Sequence, residues 1–151
     1  MKLTRERVSE IHVSYRPAIG NKPIIVSALD AYLELIEFFP LDTIALQEKF
    51  CALYLNRVNR VLGVYELSTG GMTGTVADIR LLFSVALKVA ATGIIIAHNH
   101  PSGNMKPSKA DIELTRRIKE GAMILDIKLL DHLIISPVER GYYSFADEGE
   151  M

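Results

Sequence analysis

The chain has a single cysteine, Cys51, among its 151 residues, so no internal disulfide can form. A lone thiol fits a reducing compartment, and a cytoplasmic location is expected. Cys51 lies inside the apolar run FCALYL and reads as a small core residue, not a nucleophile. No apolar run approaches the ~18–20 residues needed to cross a bilayer. The unbroken ones, FCALYL and IIIA, are of strand length. Charges throughout Met1–Glu10 speak against a secretory leader. Net charge is also scarce, at −1, so bulk charge favours neither nucleic acid nor membrane as a partner.

What is present is a large apolar fraction, 49%, in a chain long enough to bury a real core. Charge is uneven along it. Residues 1–22 carry Lys2, Arg5, Arg7, Arg16 and Lys22 against Glu6 and Glu10, whereas Asp30, Glu34, Glu37, Asp42 and Glu48 follow without a base. The basic run could touch DNA phosphates; the plainer reading is a solvated arm.

Periodicity predicts a mixed α/β fold. In SEIHVSYR, Ile11, Val13 and Tyr15 alternate with polar residues, as in a strand. IIVSA reads as a short strand, and Ser27 and Asp30 have capping-box spacing before a helix, AYLELIEFF, that Pro40 ends. KFCALYLN and RVLGVYELSTGG read as a hairpin. Thr75 and Asp78 repeat the cap spacing before IRLLFSVALKVAA, whose Ile79, Leu82, Phe83, Ala86 and Ala90 share a face and which Gly93 stops. IIIA is expected to be a central strand covered on both faces. A helix over KADIELTRRIKEGAMIL would bury Leu114, Ile118, Ala122 and Leu125; IKLLDHLIIS gives one or two strands, and GYYSFADEG a last short one.

The segment HNHPSGNMKPSKAD, between the central strand and that helix, concentrates the chemistry. His98 and His100, two apart on an extended segment, point the same way and can share one metal ion, for which imidazole is a common ligand. A catalytic zinc site usually takes three protein ligands, and Asp111, in the first turn of the next helix, supplies a carboxylate. Glu66, an acid in the mostly apolar run VLGVYELSTGG, is the candidate general base, and Ser108 could donate to an oxyanion. Plainer readings exist for each: an exposed histidine pair, a solvated strand glutamate, and an ordinary cap in which Ser108 accepts from the Asp111 N–H. The literal string H-N-H is not evidence for a nuclease of that name, whose residues are dispersed, and Asn99 reads as a spacer. Barrel hydrolases need more histidines than the remaining His12 and His132, and zinc deaminases need paired cysteines.

The pattern Glu66…His98-x-His100-x7-Ser108-x-x-Asp111 resembles the motif of the JAMM/MPN metal-dependent hydrolases. AHNHPSG, PSKADIELTRRIKEG, LLDHLIIS and YYSFADEG resemble the bacterial RadC-like branch, long labelled DNA-repair proteins, over roughly residues 41–149. The resemblance implies a cytidine-deaminase-like, three-layer mixed sheet flanked by helices. It implies Zn²⁺ on His98, His100 and Asp111, Glu66 as proton carrier, Ser108 at the oxyanion, and hydrolysis of a peptide or isopeptide bond. Asp131 or His132 could orient a ligand, and Tyr142, Tyr143 and Phe145 are expected in the core. The family's longer members carry a DNA-touching helical hairpin; residues 1–40 here read instead as a strand–helix extension before a domain at 41–151. A DNA-associated repair accessory is the alternative function, and a metal-free scaffold a third.

Overall fold

A computed structural model describes residues 8–70, 77–137 and 141–151. Its framework is one five-stranded sheet in the order β2-β1-β3-β4-β5, with β1 Lys49–Leu55, β2 Val61–Thr69, β3 Gly93–Asn99, β4 Lys128–Ile135 and β5 Tyr142–Ser144. Three helices cover it: α1 Ala28–Leu35, continued by a 3-10 turn at Ile36–Phe38, α2 Ile79–Lys88 and α3 Lys109–Ile124. Strand β3 is central, antiparallel to β1 and parallel to β4. A parallel neighbour requires a crossover, and α3 supplies it.

Strand alternation sorts the core onto two faces. Phe50, Ala52, Tyr54, Ile94 and Ile96 meet Leu82, Phe83 and Ala86 of α2 and Ile118 and Ala122 of α3. Cys51, Leu53, Leu55, Ile95, Ala97, Leu133 and Ile135 meet Ala31, Tyr32 and Leu35 of α1. This is the expected three-layer arrangement, and β3, buried at every position, is the expected central strand. Tyr142 stacks on Tyr32, Phe145 is fully buried, and Tyr143 meets Phe145 edge-on.

The hairpin turns without Asn-Gly. Asn59 takes the positive φ, 57°, and the Asn56 Oδ1 accepts from the N–H groups of Val58 and Arg60. The capping box at Ser27 and Asp30 forms as its spacing predicts.

Several expectations are corrected. Residues 9–16 form no strand; Ile11 and Val13 are exposed, because alternation without a sheet edge to join buries nothing. Of IIVSA, only Ile24 makes a bridge, to Arg60. Helix α2 is capped by the Asp78 side chain itself, accepting from the Arg80 N–H, and Thr75 lies outside the described residues. The helix stops at Lys88, with Ala90 in a left-handed conformation, φ 55°, so Gly93 opens β3 and ends nothing. On α3 the inward residues include Thr115, while Leu125 is exposed and Leu114 only half-buried. Among the described residues, no helix is long and apolar enough to cross a membrane.

Candidate metal centre

His98 and Asn99 end β3, His100 follows at once, and the chain then turns through Gly103 at φ 81° toward α3. Helix α3 starts with a reciprocal capping box. The Ser108 Oγ accepts from the Asp111 N–H at 3.0 Å, and the Asp111 Oδ2 accepts from the Ser108 N–H at 2.7 Å. The cap therefore aims the Asp111 carboxylate back at the strand end. Asp111 Oδ1 lies 3.2 Å from His98 Nε2, and Oδ2 lies 3.2 Å from His100 Nε2. The two Nε2 atoms are 2.9 Å apart. So the structure brings His98, His100 and Asp111 together, with Ser108 at the adjoining helix start. Its Oγ is used as an acceptor in the cap, which leaves the hydroxyl hydrogen available to donate.

The hydrogen bonds behind the imidazoles fix their tautomers. The Thr115 hydroxyl donates to the Asp111 backbone carbonyl at 2.7 Å, which spends its only proton. The His132 Nδ1, 2.7 Å from that hydroxyl, must then be the donor. The His132 Nε2 is left as acceptor for the His98 Nδ1–H, 2.7 Å away. His98 therefore turns a bare Nε2 to the cluster. The His100 Nδ1 lies 2.6 Å from the Asn104 carbonyl, which can only accept, so in the neutral imidazole the His100 Nε2 is bare as well. Two lone pairs 2.9 Å apart, facing a carboxylate, repel unless a cation lies among them.

A shared proton can take the place of that cation, and it sets the charge balance of these side chains. Burial pushes the Asp111 carboxyl up, but hydrogen bonds and charge from His100 and His98, with the Ser108 N–H, hold it far below the usual carboxylate range. The Asp111 hydrogen bond raises the His100 imidazole, against desolvation. His132, fully buried between Phe50 and Phe145, is pushed well below its ordinary value, by burial first and then by His98. It is a neutral buttress behind His98, a metal ligand's usual outer partner.

Glu66 is not brought to this cluster. Cys51 pairs with Glu66 and Phe50 with His98, so Glu66 projects from the α1 face and His98 from the other. Its half-exposed carboxylate accepts from the Thr69 hydroxyl and sits 3.3 Å from Lys49 Nζ; the Thr69 bond, chiefly, lowers its pKa. The carboxylate beside the histidines belongs to Glu48, whose Oε1 is 3.8 Å from His98 Nε2. Glu48, His98 and His100 each place a ligand atom within 4.8 Å of one another. Glu48 was counted in the sequence only as part of an acidic run. The signal was its position two before Phe50, on the same strand face, at the mouth of a buried strand.

Asp131 is likewise elsewhere. It faces the opposite side of β4 from His132 and accepts from the Ser144 hydroxyl and the N–H groups of His132 and Ala146. Neither residue is solvated.

A RadC-like JAB domain matches residues 26–150 of this sequence. The chain belongs to the RadC-like JAB-domain family. A UPF0758 protein of Flavobacterium johnsoniae is 52% identical over 102 residues, 68% of this chain and 44% of that protein. One from Porphyromonas gingivalis is 42% identical over 142 residues, 94% of this chain and 62% of its own length. One from Streptococcus sanguinis is 41% identical over 105 residues, 70% and 45% respectively. The RadC-like chain thus spans between 44% and 62% of these relatives. The matched region includes α1, which shares a core with β1, β3 and β4. Of the basic run at 1–22, residues 1–7 lie outside the described part.

Proposed function

We propose that this domain is a zinc-dependent hydrolase of the JAMM type that cleaves a peptide or isopeptide bond. The observation that carries the reading is the convergence of the His98 and His100 Nε2 atoms and the Asp111 carboxylate, with Glu48 alongside. Imidazole nitrogen and carboxylate oxygen are the donor set of hydrolytic zinc sites, so the residues fit the metal. His98, His100 and Asp111 would hold Zn²⁺, which supplies a Lewis acid that acidifies the attacking water and polarises the scissile carbonyl.

The remaining work falls to side chains. Glu48 stands farther out than Asp111, 3.8 Å against 3.2 Å from the same His98 nitrogen, as suits a proton carrier more than a ligand. It takes the proton of the attacking water and delivers it to the leaving amine. Ser108 keeps its cap and offers the hydroxyl hydrogen to the developing oxyanion. His132 and Thr115 hold His98 in the tautomer that faces inward. A single buried thiol suits action in the cytoplasm.

The competing reading is a DNA-associated accessory acting through the basic residues of the 1–22 segment. One experiment separates the two. Zinc content is measured on the purified chain, which is then incubated with peptide, isopeptide and DNA substrates beside a Glu48→Gln variant. Bound zinc and Glu48-dependent amide cleavage are expected. Salt-sensitive DNA binding that is lost with residues 1–22, without amide cleavage, would favour the accessory role.

A further inference from the structure

Asn99 lies between the two histidines, and strand alternation turns its side chain to the other face of the sheet. It is completely buried and uses every polar atom on one stretch of chain. Its Oδ1 accepts from the Lys49 N–H at 2.8 Å. Its Nδ2 donates to the Ile44 carbonyl at 2.7 Å and to the Gln47 carbonyl at 2.9 Å. These bonds close on the residues flanking Glu48. The segment is a run of turns from Leu41 to Leu46, with no strand partner among the described residues before β1 begins at Lys49. The Glu48 carbonyl also accepts from the Gly70 N–H at 2.7 Å.

We propose that Asn99 is a positioning residue that sets where Glu48 stands relative to the histidine pair. The inference rests on the reading of that site given above. Three consecutive residues then divide the labour: His98 and His100 present nitrogens on one side, and Asn99 reaches through the sheet to place the carboxylate that works with them. A carboxamide is the side chain for this task. It accepts once and donates twice from one rigid plane, whereas a carboxylate has no proton for the two carbonyls and would meet them lone pair to lone pair. An apolar replacement would take the partner from the buried Ile44 carbonyl and from the part-buried Gln47 carbonyl and Lys49 N–H.

The test is a double-variant cycle read in Zn²⁺ affinity, by competition with a chromophoric chelator. It uses the full chain as wild type, Glu48→Gln, Asn99→Ser and the two combined. The Glu48 charge beside the site and its correct placement should each be worth on the order of tenfold in affinity. The combined variant should bind no more weakly than Glu48→Gln alone, because a displaced carboxylate and a missing one are equivalent. A residue that merely supports the fold would weaken binding by the same factor in both backgrounds. That result, or no effect of Asn99→Ser on wild-type affinity, overturns the role of Asn99 and leaves the metal site standing. Absence of Zn²⁺ binding by the wild type sinks the site reading and this one with it. Should Asn99→Ser fail to fold, hydrogen exchange of the wild-type Lys49 amide decides: protection equal to that of the β3 amides is expected, and exchange as fast as an exposed turn refutes the clamp.

Discussion

Replacing either of two glutamates by glutamine separates a reading by strand face from a reading by motif. Glu48→Gln keeps the shape of the side chain and removes its capacity to take a proton. A positioned general base contributes about 10²–10⁴-fold to rate, which corresponds to roughly 3–5 kcal/mol of barrier. At saturating zinc, kcat should fall by that factor with KM little changed, since the interaction lost belongs to the transition state. Glu66→Gln should do almost nothing. Its carboxylate is 47% exposed, projects from the α1 face, and pairs with Lys49. Screened by solvent, such a pair is worth at most about 1 kcal/mol of stability. The rate effect should stay within roughly twofold, near 0.5 kcal/mol. The assay is steady-state hydrolysis of whichever peptide or isopeptide the wild type cleaves, with thermal unfolding confirming that both variants fold. An inactive Glu66→Gln beside an active Glu48→Gln would refute the assignment of faces. Full activity in both would refute proton transfer by either carboxylate.

Thr115→Val removes the hydroxyl that forces the His132 tautomer, and His132→Phe removes the acceptor for His98; each should weaken Zn²⁺ binding about 10–100-fold, measured by chelator competition. Burial raises the Asp131 carboxyl despite bonds from Ser144, Ala146 and His132. The folded state therefore holds that proton more tightly than the unfolded one, a stabilisation complete below about pH 4 and lost as pH climbs through the raised folded value. Asp131→Asn should flatten this part of the pH–stability curve in denaturant titrations, and an unchanged slope would contradict the assignment. Cys51, buried and with its thiol pushed up to about 12, should resist a thiol reagent in native buffer and react at once in denaturant.

Local relations were the legible part. His98, His100 and Asp111 fall within fourteen residues, and the strand period and the helix cap suffice to converge them. The capping boxes at Ser27 and Ser108 were readable for the same reason. What was not legible needed pairing information. Glu66 and Glu48 both adjoin apolar strands, and only the register Phe50↔His98 and Cys51↔Glu66 tells which carboxylate shares a face with the histidines. Asn99 looked like a spacer because its partners lie 50–55 positions upstream. Thr115 was passed over on α3 because a hydroxyl does not count toward an apolar stripe, yet its contact with His132 is what buries it. The alternation at 9–16 was genuine, but no neighbouring edge receives it.

The Thr115–His132–His98 chain has a kinetic side. It ends on a helix carbonyl of α3, passes through β4 and reaches the end of β3, so it closes only when the crossover has docked. Glu48 arrives separately, through long-range bonds from β3. A half-assembled chain offers two histidines of unfixed tautomer and no carboxylate clamp. Zinc would then have little to grip before the last contacts form, and its binding energy would be absent from the folding transition state. On the proposed reading the ion would act as a late lock, slowing the unfolding limb and leaving the rate of folding to the sheet.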